Sequence, residues 1–519
     1  MEDAEKAKGK TSVSSDNGID LATYETETGL LARLRALEAR LDAKLGVEAE
    51  AITRKLPEDK GHVPWHQQLN MIFIWASGSM NTSCFAIGFL GYELGLRYEK
   101  LIVTATIALR QSICITIAAT LLGGASTGFA ATFGPPMGLR QISISRYSFG
   151  WWPTKIIAAL NTIQQVGWAA VACIAGGLAL TAVADGHVSL VVGIVIIVLV
   201  STVISFVGLR AVLFYERYAW FIFFVIFLII FGETGKYTDN STKTSLHGID
   251  LGGGVLTLFA IVYGSSASWQ VIASDYYVHY PVDVSRWKVF FLTTIGVALP
   301  TSLGMAAGTV VAFGMNNRPD WKEVYTTQGL GFLVQTILYP RGFAKVILTL
   351  LVLSGINTNV ISMYSAAISC QQFARPLARI PRIIWVLLSS ACILGLAIGG
   401  RAKLSVYLQN FLSLLGYWCT QYFVILCSEH VIFRGMNFDN YDLDAWNDPD
   451  RLPLGLAAGS AFGIGTIAWV MGMVQTWFVG PLGRLIGVGG GDIGNEFTFV
   501  VTALIYIPAR YMERKIIGR

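Results

Sequence analysis

Two apolar runs are interrupted by short tracts of Ser, Gly, Asn and Gln. These tracts hold the side chains best suited to gripping a small polar molecule. The first is Ser77-Gly78-Ser79-Met80-Asn81-Thr82-Ser83, and the second is Tyr263-Gly264-Ser265-Ser266-Ala267-Ser268-Trp269-Gln270. Gly, Ser and Asn compete with regular helical hydrogen bonds and favour turns. Their hydroxyls and amides can donate and accept at a ligand edge. A helix opened there also exposes its own N–H and C=O ends to a substrate or an ion. This is binding chemistry rather than catalysis. The chain has no His-Glu-x-x-His, no Gly-x-Ser-x-Gly and no paired aspartates within an apolar run, so an enzyme is not expected.

The elements that must position these tracts follow from composition. Of 519 residues, 54% are hydrophobic and only 14% charged, where soluble domains carry about 25%. That balance describes an all-α polytopic membrane protein embedded in a lipid bilayer. The net charge of +5 is small, and no basic cluster is interleaved with aromatics, which argues against a nucleic-acid partner. Seven cysteines, nearly all inside apolar runs, read as small buried hydrophobes without metal spacing. No metal or other cofactor is expected.

Residues 1–68 are polar and read as a cytosolic tail carrying one amphipathic helix, with leucines recurring from Leu30 to Leu45. A transmembrane domain is expected over 69–510 and a cytosolic tail over 511–519. Runs of about 20 apolar residues can cross the hydrocarbon. Twelve fit: 69–91, 103–124, 155–180, 189–208, 214–232, 251–273, 289–315, 343–369, 383–400, 405–427, 453–478 and 495–510. An even count puts both termini on one side. The basic residues Arg140, Arg146, Arg286, Lys288 and Arg382, with Arg510, Arg514 and Lys515 near the C-terminus, favour the cytosol for that side. Asn240-Ser241-Thr242 is a glycosylation pattern in a loop this topology places outside. Arg110 falls inside the second span, where a charge either serves function or snorkels to the outer surface.

The two interrupted runs are the first and sixth spans, five apart. That offset suits two inverted five-helix repeats with broken helices 1 and 6, followed by two extra helices. In lipid, backbone groups freed by such breaks must be satisfied internally, which is plausible where the break lines a cavity. Small residues alone would also permit close helix packing, but two tracts at matched positions favour a binding site.

The loop Gly134-Pro135-Pro136-Met137-Gly138-Leu139-Arg140-Gln141, continuing through Ser145-Arg146-Tyr147-Ser148-Phe149-Gly150, resembles the loop after the second span in fungal purine-cytosine permeases. Further segments are similar to that family: Val47–Asp59, Asn81–Gly91, Ala273-Ser274-Asp275-Tyr276, Gln409–Trp418, Ser428–Arg434, Tyr441-Asp442 and Trp446-Asn447. The resemblance covers the chain beyond about residue 46. It implies a leucine-transporter-like fold, alternating access, and proton-driven import of a planar heterocycle such as a purine or cytosine across a fungal plasma membrane.

The resemblance also implies that Trp168 on the third span and Trp269 on the sixth hold the ring between them, as indole faces suit a flat π-system. Ser83 and Gln270 would meet its polar edge. The family pattern is altered elsewhere. Ala172 stands where an Asn is common, and Asn357-Thr358-Asn359-Val360-Ile361-Ser362 replaces a run richer in amides. Asn357, Thr358, Asn359 and Ser362 remain as substrate contacts. The lost amides leave room for another cargo, such as pyridoxine or a secondary-metabolite heterocycle, and a sensor that no longer transports is a further alternative. Sodium-coupled relatives use two hydroxyls on the eighth span; here Ser354 is the single one, which favours protons. Asp275 is the best-placed carboxylate for ion coupling, or else a structural acid bonded to nearby backbone.

Overall fold

A computed structural model describes residues 53–92, 108–207, 209–238, 246–378 and 380–519. The Leu30–Leu45 helix and Asn240 lie outside them. Helices of the hydrophobic domain follow in the order α1 (Asn70–Ser79), α2 (Thr82–Gly88), α3 (Leu109–Ala131), α4 (Gly134–Met137), α5 (Gln141–Phe149), α6 (Pro153–Val183), α7 (Leu190–Val207) and α8 (Leu209–Thr234). They continue as α9 (Gly248–Ala267), α10 (Arg286–Gly314), α11 (Arg341–Phe373), α12 (Arg382–Gly400), α13 (Leu404–Ser428), α14 (Leu456–Gly472) and α15 (Gly494–Ile517). Among the described residues, eight helices are long and apolar enough to span a membrane, and the bent pair α1–α2 makes a ninth. The remaining expected spans correspond to α7 and α14, which are shorter, and to α15, which carries more charge.

Glycines set the closest contacts. A Cβ on Gly88 would strike the Met305 carbonyl, and one on Gly308 the Phe85 carbonyl, so α2 and α10 meet backbone to backbone. Likewise a Cβ on Gly264 would strike the Leu412 carbonyl, which brings the end of α9 against α13. α6 and α11 share a long seam where Gly176 faces Gly355.

Both interruptions are real. The first span bends by 61° between α1 and α2. Asn81 makes the bend possible by serving both halves. Its Nδ2 donates to the Gly78 carbonyl at 2.9 Å, and its Oδ1 accepts from the Cys84 N–H at 3.0 Å. It therefore caps the second half while closing the first. The sixth span leaves α-geometry after Ala267 and winds as 3-10 turns at Ser268–Val271 and Ala273–Tyr276. Its freed groups find partners on neighbours: the Ser268 carbonyl accepts from Gln164, the Ser266 carbonyl from Thr127, and the Ser274 N–H donates to Gln141.

The cationic loop at 134–150 is a folded wedge, with α4 and α5 almost wholly buried. Gly138 and Gly150 have φ of 63° and 80°, which suits glycine and ends each short helix. Gln141 spans three partners: its N–H donates to Asp275, its Nε2 to the Tyr422 hydroxyl, and its Oε1 accepts from Ser274. Arg146 donates to the Trp446 carbonyl and to Asn447, its guanidinium lying over the rings of Trp151 and Trp446. The wedge thus ties together the second, sixth and tenth spans and the segment after the tenth.

Two charges differ from the sequence expectation. α15 runs on to Ile517, and Arg510, counted among the basic residues that favour the cytosol, is buried. It pairs with Glu429 at 2.9 Å and Glu513 at 3.1 Å, and Tyr506 also donates to Glu429. A buried guanidinium persists only with such partners. Arg110 is the second residue of α3 and is exposed, so it stands at a helix end instead of mid-span.

Candidate substrate site

One cavity lies where the breaks in the first and sixth spans face α6, α10 and α11. Its walls include Trp168 and Trp269 together with Thr358 and Ser362, four of the residues singled out in the sequence. It is tight, with about 30 Å³ open to the centre of a water-sized sphere. That is room for roughly two waters.

Each indole is buttressed edge-on by another aromatic. Trp269 meets Trp75 at 5.7 Å and 79°, and Trp75 is itself anchored by donating to the Tyr277 hydroxyl at 2.7 Å. Trp168 meets Phe411 at 5.8 Å and 78°. Gly167 permits this, because a Cβ there would overlap the Phe411 ring. Gly78 in the first break lies beside Trp269, its missing Cβ 3.7 Å from the indole. Both rings are half-buried, with surface left to meet a ligand.

The other predicted contacts stand elsewhere. Gln270 is fully buried and donates to the Cys419 carbonyl at 2.8 Å, outside the cavity walls. Asn359 turns toward α6, where its Nδ2 reaches Cys173 Sγ at 3.2 Å. Ser83 is buried but off the cavity wall, and Asn357 is half-buried and also off it. Ala172, 1% exposed, belongs to the α6–α11 seam: a Cβ on Gly355 would sit 3.0 Å from the Ala172 carbonyl.

Residues not singled out as ligand contacts in the sequence supply much of the wall: Ser79, Asn81, Cys84, Gln164, Gln165 and Ser268 among them. Ser79 and Asn81 belong to the first interruption. Gln164 and Gln165 sit one turn before Trp168, so the i, i+3 and i, i+4 spacing was their signal. Gln164 is committed to the protein, with Nε2 on the Ser268 carbonyl at 2.8 Å and Oε1 accepting from Cys419.

The ion-coupling candidates fall in two places. Ser354 lies across from the first break: its Oγ faces the Thr82 N–H at 3.4 Å, and the Thr82 hydroxyl donates to the Leu351 carbonyl at 3.1 Å. Asp275 is at the far end of the sixth span, below the cavity. It accepts from the Gln141 N–H at 2.7 Å and lies 3.8 Å from Arg140. No group of three or more His, Cys, Asp or Glu capable of holding a metal occurs among the described residues.

Known proteins are similar to this chain in architecture and in sequence. In fold, the chain matches Mhp1, a nucleobase-cation-symport-1 family transporter, in a closed conformation with bromovinylhydantoin bound. The TM-score is 0.63 at 16% identity, covering 90% of this chain and 95% of that one. A Na+-coupled sialic acid symporter matches with a TM-score of 0.51 at 14% identity, covering 92% and 95%. In sequence, purine-cytosine permease FCY21 of Saccharomyces cerevisiae is 34% identical over 98% of this chain and 94% of its own. Purine-cytosine permease fcyB of Emericella nidulans is 32% identical over 98% and 96%. Vitamin B6 transporter TPN1 of Saccharomyces cerevisiae is 28% identical over 94% and 91%. Residues 65–480 match the family described as permease for cytosine/purines, uracil, thiamine, allantoin. With both breaks, the aromatic-walled cavity and the relatives in agreement, the chain belongs to this permease family.

Proposed function

We propose that this protein imports a purine, cytosine or closely related nucleobase by alternating access, in symport with protons. The carrying observation is the cavity itself, lined by two buttressed indoles and by polar groups from both broken spans. Stacking between indoles suits a planar ring, and Thr358 and Ser362 offer hydroxyl partners for its edge. The purine-cytosine permeases at 32–34% identity support the same cargo.

Proton coupling is supported by the junction of the first and eighth spans. There the oxygens that could gather around a cation are engaged within the protein: the Thr82 hydroxyl donates to the Leu351 carbonyl, and Ser354 Oγ faces the Thr82 N–H. Asp275, the carboxylate at the end of the sixth span beside Arg140 and the Gln141 N–H, is the proton-bearing candidate. A plasma-membrane location with both termini cytosolic, and the tail boundaries near residues 68 and 511, accord with the basic loops and tail. A vitamin cargo such as pyridoxine is the second reading, favoured by the missing amides at Ala172 and on α11 and by the similarity to TPN1.

The test is uptake in a permease-null yeast, using labelled cytosine, adenine, hypoxanthine, uracil, allantoin and pyridoxine, with and without a protonophore. Saturable, protonophore-sensitive uptake of a nucleobase, abolished by Trp269→Ala, is expected. Flux that follows external sodium would overturn the coupling, pyridoxine uptake alone would favour the second cargo, and no saturable flux would point to a sensor.

A further inference from the structure

We infer that Gln165 binds the polar edge of the substrate ring and accepts a hydrogen bond from an exocyclic amine where the ring carries one. The inference rests on the nucleobase reading above and deepens it. Gln165 lines the cavity, is 3% exposed, and lies one turn before Trp168 on the same face of α6. Its Nε2 donates to Asn161 Oδ1 at 3.2 Å, and Asn161, fully buried, donates in turn to Ser369 Oγ on α11 at 2.7 Å. This relay ties the amide to α11. One Nε2 proton is used, while Oε1 has no partner among the described residues and is not sealed in the interior.

What remains is an acceptor beside a spare donor. That pair matches an exocyclic amine next to a ring nitrogen, the edge that adenine and cytosine share. Hypoxanthine and uracil present a carbonyl and a ring N–H along that edge, and with the ring turned over the same amide meets them, Nε2 donating to the carbonyl and Oε1 accepting from the N–H. Its neighbour Gln164 cannot do the same, because both ends of its amide are bound within the protein. Position 172, two turns further along α6, is an alanine. The amide function has therefore moved from one side of Trp168 to the other, and the polar edge of the ring faces the Gln165 side of the indole.

The experiment measures inhibition of labelled cytosine uptake by unlabelled adenine and by unsubstituted purine, which lacks the amine. It compares wild type with Gln165→Met, a side chain of similar length without polar atoms. Each variant serves as its own control for folding and surface delivery, since the readout is the ratio of the two Ki values. Wild type should prefer adenine by about tenfold or more, the scale of one desolvated hydrogen bond, and Q165M should bring the ratio near one. Gln164→Met should shift both Ki values together or lower surface delivery. Equal adenine-to-purine ratios in wild type and Q165M would overturn the assignment while leaving nucleobase transport intact. Absence of saturable cytosine and adenine uptake in wild type would instead overturn the transport reading, and this assignment with it.

Discussion

Replacing Asn81 by Ala removes the one side chain that satisfies both sides of the break in the first span. The Gly78 carbonyl loses a 2.9 Å donor, and the Cys84 N–H loses a 3.0 Å acceptor. Both lie in buried backbone, where an unsatisfied group costs about 1–3 kcal/mol, so the pair amounts to roughly 2–6 kcal/mol. Even the lower figure shifts the balance between the bent span and its competitors by about 30-fold. Asn81→Ser should be intermediate, since a hydroxyl can cap Cys84 but does not reach Gly78. The assay is thermal denaturation of a fluorescent fusion in detergent, followed by size-exclusion chromatography, alongside uptake kinetics. The expected order of stability is wild type, then Ser, then Ala. Asn81 also lines the cavity, and this makes the result decisive. If Asn81→Ala raised KM with no loss of thermal stability, Asn81 would be a ligand contact only, and the argument from the break would be refuted.

Three other outcomes are expected. Gly264→Ala should abolish transport or surface delivery, because the new methyl strikes the Leu412 carbonyl, whereas Gly78→Ala should be tolerated, its nearest neighbour being the Trp269 ring at 3.7 Å; surface fluorescence with uptake would expose a reversed ranking. Asp492, in the segment before α15, has its carboxyl pushed up to about 7 by burial, from the usual 3.8. The unfolded chain therefore gives up this proton first, and stability should fall by up to about 1.4 kcal/mol per pH unit as pH rises from near 4 to near 7. Asn at 492 should flatten that part of the melting-temperature profile of purified protein. Asp185 joins Arg341, Lys345 and Gln335, linking the ends of α6 and α11; Asp185→Ala should lower the melting temperature by an amount that shrinks in high salt.

The helices, both breaks and the family were legible in the sequence because each depends on residue type. Apolar length makes a span, and Gly, Ser and Asn open one. Which side chains then face the ligand depends on helical phase, and a break resets phase. An α-helix advances about 100° per residue and a 3-10 turn about 120°. Past Ala267 the sixth span winds as 3-10, so Gln270, expected at the substrate's polar edge, instead meets the Cys419 carbonyl while Ser268 and Trp269 keep the cavity. In the first span Asn81 starts a new helix, and the phase it sets brings Cys84 and Ile87 to the wall and turns Ser83 off it. Unbroken helices obeyed simple spacing. Thr358 and Ser362 share a face of α11 and both line the cavity, whereas Asn359, one step round, meets Cys173. The same spacing on α6 leads from Trp168 back to Gln165. The amides absent from Ala172 and α11 thus bear on where recognition occurs more than on whether it occurs. An amide on the opposite side of the indole can still read a nucleobase edge, provided that the edge is presented from that side.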